Sequence, residues 1–219
     1  MERIDIWMKT MMQAYSFPVN ISLVAFRKKD VDRLHRESVI TCNTLQALRE
    51  AGKSKMISTF SCSLHNEQGK ELILKDTKEI NYPAEYCAET SNTNQASSCA
   101  LSITPICFTM REEGTVFQFI AEPSDLASHL LLFSFTCRFI HVALAEWKTY
   151  DAVTLLKSGK AIRTPCKQPI FYQMSDEGQC MIMPGETLLL GGGRTFDQEW
   201  VYYAFLTLDI VPAKKIVLE

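Results

Sequence analysis

The sequence has no large excess of charge of either sign, no long hydrophobic run and no closely spaced pair of cysteines. Its 23 basic and 25 acidic side chains give a formal net charge of -2, so it lacks the basic excess with which a dedicated nucleic-acid binder neutralises phosphates. The longest apolar stretches, residues 130–135 and 140–145, fall well short of the roughly 20 residues that a membrane-spanning helix needs. We therefore expect a soluble protein without a transmembrane segment.

The first residues also lack the uninterrupted apolar segment of a signal peptide, because Glu2, Arg3, Asp5 and Lys9 interrupt it. The eight cysteines lie eight or more residues apart and form no Cys-x-x-Cys motif. Several sit within apolar, strand-like runs, as buried free thiols do in a reducing compartment. These features predict a protein of the cytoplasm or nucleus that is not secreted and whose cysteines are all reduced.

Composition and periodicity together predict a globular protein dominated by strands. Hydrophobic residues make up 47% of the chain and charged residues 22%, which is the balance of an ordinary globular domain. Beyond residue 56 the hydrophobic period is two, and no regular alternation of strands and helices is visible, which disfavours a doubly wound nucleotide-binding sheet. We expect one β-dominated α+β domain over residues 1–219, an antiparallel sandwich or distorted barrel with a few short peripheral helices.

The N-terminal segment, residues 1–16, has the pattern of an amphipathic helix. Its apolar side chains recur at helical spacing, and Phe17-Pro18 ends the pattern because proline disfavours helical geometry in the residue before it. The charges of the segment cancel, which gives no attraction to anionic lipid. The apolar stripe is a candidate interface for a second subunit, or else a cap on the protein's own sheet. The stripe consists of Ile4, Trp7, Met8, Met11, Met12 and Tyr15.

Period and turn signals predict further elements along the chain. In chain order these are a half-buried strand over 19–26, a short helix over 44–51 capped by Gly52, a hairpin turning at 66–69, a polar surface loop over 90–98, turns at 112–114 and 175–178, and a helix over 151–157.

The glycine run near the C-terminus is a candidate anion-binding loop. Gly191, Gly192 and Gly193 are followed by Arg194 and Thr195, and successive backbone N–H groups of a glycine loop can converge on an anion. The run lacks the Gly-Lys-Ser/Thr ending of a P-loop, so a wide turn between two antiparallel strands is the alternative.

Positive charge is concentrated in a basic run at residues 27–36. It contains Arg27, Lys28, Lys29, Arg33 and Arg36. Such a run can contact RNA, an acidic lipid surface or an acidic partner. A solvated charged face is the commoner explanation, and we favour it here.

Catalytic and metal-binding patterns are weak. The sequence has two close Cys/His pairs, Cys62 with His65 and Cys137 with His141. On a strand, neither spacing suits a nucleophile and its base, and neither suits a pair of metal ligands. Glu112 and Glu113 are expected to be solvated in a turn. No cofactor and no metal are predicted, although a Cys/His dyad assembled from distant positions stays open.

Two functions remain as alternatives. The first is a non-enzymatic interaction or self-assembly protein of the kind found among viral matrix, capsid, movement and accessory proteins, for which apolar edge strands and a detachable helix would be suited. The second is a hydrolase or transferase whose site forms only in the fold, from a Cys/His pair or the glycine loop. The missing catalytic signature favours the first.

Overall fold

The computed structural model describes residues 14–37, 39–64, 69–91, 100–124, 132–155, 161–194 and 199–212. Over these residues the chain has the predicted β-dominated α+β fold, with three antiparallel sheets of which none closes into a barrel there. The elements in chain order are β1 (Tyr15–Ser16), β2 (Pro18–Arg27), α1 (Lys28–Glu37), α2 (Cys42–Glu50), β3 (Ser54–Ser63), β4 (Glu71–Ser91), β5 (Ala100–Pro123), β6 (Phe133–Leu155), β7 (Ala161–Ile182), β8 (Glu186–Arg194), β9 (Trp200–Leu208) and β10 (Val211–Pro212).

Two four-stranded sheets carry the architecture. One has the order β3-β2-β9-β8, the other is a meander with the order β4-β5-β6-β7, and β1 pairs with β10 in a small third sheet. The chain thus lays down half of the first sheet, builds the whole second sheet, and returns to complete the first. Neither helix in the described part of the chain is long and apolar enough to cross a membrane.

Strand β2 shows how the sequence positions both faces of the first sheet. Val19, Ile21 and Leu23 point into the main core, as their alternation with polar residues predicts. Val24 and Phe26 face the other way and are also buried, because the two helices cover that end of the sheet. The strand is therefore half-buried at its start and buried on both faces near its end.

Helix α2 begins and ends at residues whose local chemistry favours these positions. Thr41 caps α2 by accepting a hydrogen bond from the Thr44 backbone N–H, and the Thr44 side chain accepts one from the Thr41 N–H in return. After α2 the chain needs a left-handed residue, and Gly52 supplies it with φ of 69°. Leu45 and Leu48 are buried against the sheet, so packing and capping agree with the predicted helix.

The described chain divides into two compact units, and each unit consists of segments that are separate in the sequence. Unit 1 comprises Met1–Asp76, Thr115–Ile140 and Met174–Glu219, and unit 2 comprises Thr77–Gly114 and His141–Gln173. The residues of β4 to β7 are shared between the units, so no linker separates them. The polar stretch 90–98 lies in the sequence of unit 2, but nearly all of it falls outside the described residues.

Unit 1 contains a sandwich core between the two large sheets. The ring centroid of Phe17, which lies between β1 and β2, is 5.0 Å from that of Phe133. The ring centroids of Phe119 and Phe135 are 5.7 Å apart. All four rings are almost completely buried. Inside this core the Ser58 and Thr115 hydroxyls satisfy each other at 2.8 Å.

Unit 2 has little core of its own. Of its residues whose burial is described, His141 and Cys166 are the buried ones. Its strands belong to one hydrogen-bonded sheet, and the two edge strands of that sheet also contact each other. The Tyr86 hydroxyl donates to the Lys167 carbonyl at 2.8 Å, and the Gln168 amide donates to the Pro83 carbonyl at 2.8 Å.

Four local predictions are wrong. Strands β3 and β4 belong to different sheets, so they form no hairpin across residues 66–69. Strand β5 runs through 112–114, strand β7 runs through 175–178, and residues 151–155 are strand rather than helix. At 112–114 and 175–178 charged residues and a glycine imitated turns, because long strands of a large sheet also carry them on their solvent face.

Candidate functional site

The glycine run lies in a strand. Gly191 pairs with Ala204 and Gly192 with Tyr203, with irregular register on both sides of them, and Thr195 lies outside the described residues. The Asp176 carboxylate sits directly against Gly191. The anion site proposed for Gly191 to Thr195 stays a prediction, and a carboxylate in that position disfavours an anion because like charges repel.

The basic run occupies the end of β2 and helix α1. Lys28 is half-buried and the other four basic residues are exposed. Part of their charge is matched on the same helix, since Arg33 lies 3.8 Å from the buried Asp30. The Arg36 Nε donates to the uncharged backbone carbonyl of Asp32 at 3.2 Å. A nucleic-acid or lipid contact through this run stays a prediction.

The N-terminal stripe lies outside the described residues except for Tyr15. That residue belongs to β1, pairs with Pro212 and packs against the core of unit 1. The predicted helix over residues 1–16 is thus wrong at its last two positions. For Tyr15 the contacts match the alternative in which the stripe covers the protein's own sheet.

The structure gives no support for a catalytic site at either of the two Cys/His pairs. Burial raises the pKa of the Cys62 thiol to about 11, which leaves little thiolate for nucleophilic attack at neutral pH. His65 lies outside the described residues. Cys137 belongs to unit 1 and His141 to unit 2. Over the ranges that the structure covers, no cluster of three or more His, Cys, Asp or Glu side chains is placed to hold a metal ion.

Glu113 forms an ionic cluster in unit 2. Its side chain is 18% exposed, its Oε2 lies 3.0 Å from Lys78 Nζ, and its Oε1 accepts the Leu144 backbone N–H at 2.9 Å. Burial acts to raise the pKa of this carboxyl, but the Leu144 hydrogen bond, the Lys78 ammonium and the charge of His141 together lower it below the ordinary value. The expectation that Glu113 is solvated in a turn is therefore wrong.

Unit 2 also exposes a set of large apolar side chains, which we call the unit 2 patch. They lie on β5, β6 and β7, which are neighbouring strands of one sheet. Alternation places them on both faces of that sheet, because Trp147 and Tyr150 are three residues apart on β6. Phe108 is the most exposed of them at 66%, and Phe108 and Met110 lie two residues apart on one face of β5. The patch consists of Ile106, Phe108, Met110, Trp147, Tyr150, Val153 and Tyr172.

Polar and cation–π contacts between side chains lie beside members of the patch. The Arg111 guanidinium lies 4.8 Å from the centre of the Phe171 ring and donates to Gln173 at 3.3 Å. Lys148 lies 5.4 Å from the Tyr150 ring, and Arg163 lies 3.8 Å from Asp151. Acidic and basic groups are therefore interspersed with the apolar ones.

The patch was missed by sequence reasoning. Alternation predicts strands around Phe108, Trp147 and Tyr172, and a helix is expected over 151–157. Alternation does not say which face of a strand another layer covers. The signal that was present is compositional, because Trp147 and Tyr150 stand among Glu146, Lys148 and Asp151, where a core strand would carry aliphatic residues.

Comparison of the chain with protein-family models, with curated proteins and with solved structures finds no match.

Proposed function

We propose that the protein is a non-enzymatic self-association module in which the face of unit 2 that carries Phe108 and Met110 packs against the same face of a second copy. The observation that carries this proposal is the exposure of seven large apolar side chains in a unit with hardly any buried core. Single exposed apolar residues are normal on protein surfaces, whereas a concentration of them marks an interaction surface.

The seven side chains together expose an area close to that of a stable interface, but this area is divided between the two faces of the sheet. A fully buried aromatic side chain removes about 150–250 Å² from water, so side chains that are about half exposed offer on the order of 100 Å² each and roughly 700 Å² together. A stable interface buries about 800 Å² on each partner. Aromatic residues and methionine are also the types enriched at interfaces, and Phe108, Met110, Trp147 and Tyr150 are all of these types.

Charge and edge geometry favour a second copy as the partner. The chain carries a net charge of only -2. Charges of both signs surround the patch, at Lys148, Asp151 and Arg163. A two-fold contact of the patch with itself is therefore not repulsive. The edge strands β4 and β7 already contact each other through Tyr86 and Gln168. Face-to-face packing is therefore favoured over strand addition at these edges in unit 2.

The test is the sedimentation of the wild type and of Phe108→Glu over a concentration series. A charge at the centre of an apolar contact should weaken the self-association Kd by at least tenfold, which corresponds to about 1.4 kcal/mol. Val39→Glu is the matched control, because Val39 is 79% exposed and belongs to unit 1. The control should dimerise like the wild type.

A wild type that stays monomeric at the highest concentration tested would contradict the proposal. So would equal weakening by Phe108→Glu and Val39→Glu. Circular dichroism of each variant shows whether a loss of association comes from a loss of folding.

We also propose that the protein resides in a reducing compartment, the cytoplasm or the nucleus. It is supported by the seven cysteines of the described residues, which are free and mostly buried or half-buried. The hydrolase or transferase alternative stays a prediction from sequence.

A further inference from the structure

Strand β3 is an edge of the first sheet and belongs to unit 1. In the part of the chain that the structure describes, it pairs with β2 on one side and with no strand on the other. Its register with β2 is regular from Ser58 to Ser63, because the register shift lies between Leu23 and Val24, opposite the first half of β3. The second half of β3 therefore offers a regular edge to a further strand.

Two hydrogen bonds show how the backbone of β2 is shared between its neighbours. On the β3 side, the Leu64 N–H donates to the Phe17 carbonyl at 3.1 Å. On the β9 side, the Asp209 N–H donates to the Pro18 carbonyl at 2.8 Å. Successive residues of β2 thus bond to β3 and β9 in turn, as residues of a central antiparallel strand do.

The same alternation assigns the backbone groups of β3. Since Leu64 bonds to β2, the residues two and four positions before it, Cys62 and Phe60, also bond to β2. The N–H and C=O groups of Thr59 and Ser61 then point out of the sheet edge. Both of these residues are exposed. They are backbone groups to which another strand can bond.

The edge strands of the two large sheets differ in what discourages pairing with another chain. Proteins protect such edges with charges, prolines and bulges. Strand β8 has irregular register around Gly191 and Gly192, and in unit 1 β4 and β7 carry charged residues at 75–76 and 176–177. Residues 56–63 of β3 contain neither a charge nor a proline. This edge is therefore open to strand addition.

A second copy of β3 fits this edge. Antiparallel pairing about a two-fold axis places the neutral segment against itself, with Ser and Thr hydroxyls opposite each other, a favourable cross-strand pairing. On the core side of the strand, Phe60 and Cys62 are only half-buried, and the added strand would cover them further. Lys55 is the one charge of β3 and lies outside the segment, so the two lysines do not meet.

We propose that residues 58–63 of β3 pair antiparallel with the same residues of a second copy. This contact is separate from the unit 2 contact proposed above, because β3 lies in unit 1. It is the weaker of the two, since backbone hydrogen bonds between chains replace bonds to water and each gives only a modest net gain.

Residue-resolved hydrogen exchange of the full-length protein over a concentration series tests the pairing. At low concentration the N–H groups of Thr59 and Ser61 should exchange fast and those of Phe60 and Cys62 slowly, because only the latter are bonded within the chain. At the highest concentration the first two should slow by about tenfold. Exchange of Thr59 and Ser61 that is equally fast at every concentration would overturn the proposal. Slow exchange of both at the lowest concentration would do the same, because the chain itself would then cover the edge.

Thr59→Pro removes an outward-pointing N–H and leaves the bonds to β2 intact, as proline on an edge strand can. In this variant the Ser61 N–H should exchange fast at every concentration. Thr59→Val is the matched control, because it keeps the N–H and the β-branched shape, and it should behave like the wild type. Circular dichroism shows whether the proline variant folds, and Thr59→Lys, which brings like charges together across the two-fold axis, should give the same loss.

The contacts in unit 1 and unit 2 are distinguished by Phe108→Glu. This substitution should leave the concentration dependence of the Ser61 N–H in place, whether or not the unit 2 contact exists. Protection of Ser61 that persists in folded Thr59→Pro or Thr59→Lys would assign it to another contact and overturn the pairing of β3. Loss of the protection in Phe108→Glu would overturn it as well, since the protection would then come from unit 2.

Discussion

Units 1 and 2 share the four long strands β4 to β7, yet they are stabilised in different ways. In unit 1 the phenylalanines of β5 and β6 are buried between two sheets, as at Phe119 and Phe135. In unit 2 the corresponding large side chain of β5, Phe108, is mostly in water. Apolar burial stabilises only where a second layer covers the sheet, so the same strand contributes much free energy in one unit and little in the other.

Unit 2 compensates with specific polar and aromatic contacts. Glu113 joins Lys78 and Leu144, and Tyr82 lies 5.9 Å from the ring of Phe171. Each such contact contributes about 0.5–1.5 kcal/mol, whereas a fully buried Phe or Leu contributes about 1.5–3 kcal/mol. Segments with few buried apolar contacts open at lower free energy. Unit 2 is therefore the part of the chain that gains most from a partner, in line with the proposed self-association.

The largest expected effect contrasts two phenylalanines. Phe135→Ala in unit 1 should lower the free energy of unfolding by about 3–5 kcal/mol, because it leaves a cavity among aromatic neighbours. Phe108→Ala in unit 2 should change it by less than about 0.5 kcal/mol, because that ring is already hydrated. Urea unfolding, run at a protein concentration where the chain is monomeric, measures both.

Equal losses from the two substitutions would break the comparison. They would mean that Phe108 is buried within its own chain, and the unit 2 patch would then no longer be a free surface. The pair also separates folding from association, since only Phe108 is expected to affect the latter.

Sequence reasoning reached the fold class because its signals are local. The alternation of β2 and the Gly52 signal at the end of α2 are set by neighbouring residues, and the structure confirms both elements. It failed where the outcome depends on distant chain segments. Glu113 resembles a turn residue until Lys78 and Leu144 are brought beside it. Which face of a strand is covered is likewise decided by the other sheet.

A smaller effect is expected at the irregular end of β8 in unit 1. Gly192 has φ of 137°, and a Cβ there would collide with the Tyr202 carbonyl and with Tyr203. Gly192→Ala should therefore cost about 2–3 kcal/mol through backbone strain and lost pairing with β9. Thermal unfolding of the variant measures the loss.

Gly52→Ala is the matched control for this substitution. Gly52 also has a positive φ, at 69°, but a Cβ there meets open space. Its cost should stay near 1 kcal/mol, which is the penalty of the left-handed conformation alone. If both alanines cost the same, the close approach of β9 to Gly192 does not matter for stability.

The smallest expected effect is a pH dependence confined to unit 2. Glu113 has a pKa below its ordinary value of 4.5 in the folded chain, so its ionised form stabilises the fold. That contribution is fully present above the ordinary pKa of the unfolded chain and is lost as the pH falls through the lower, folded pKa. Between neutral pH and about pH 3 we expect unit 2 to lose about 1 kcal/mol from this group, the scale of one partly buried, charge-assisted hydrogen bond.

Hydrogen exchange of unit 2 amides, with the Leu144 N–H as the direct reporter, measures this loss after correction for the intrinsic pH dependence of exchange. Glu113→Gln supplies the control, because the amide oxygen can still accept the Leu144 N–H while the titrating charge is gone. The variant should be less protected than the wild type at neutral pH and equal to it at low pH. A wild-type opening free energy that does not change with pH, or a variant that still shows the acid loss, would assign the pH dependence to another carboxyl group and remove Glu113 from the contacts that hold unit 2 together.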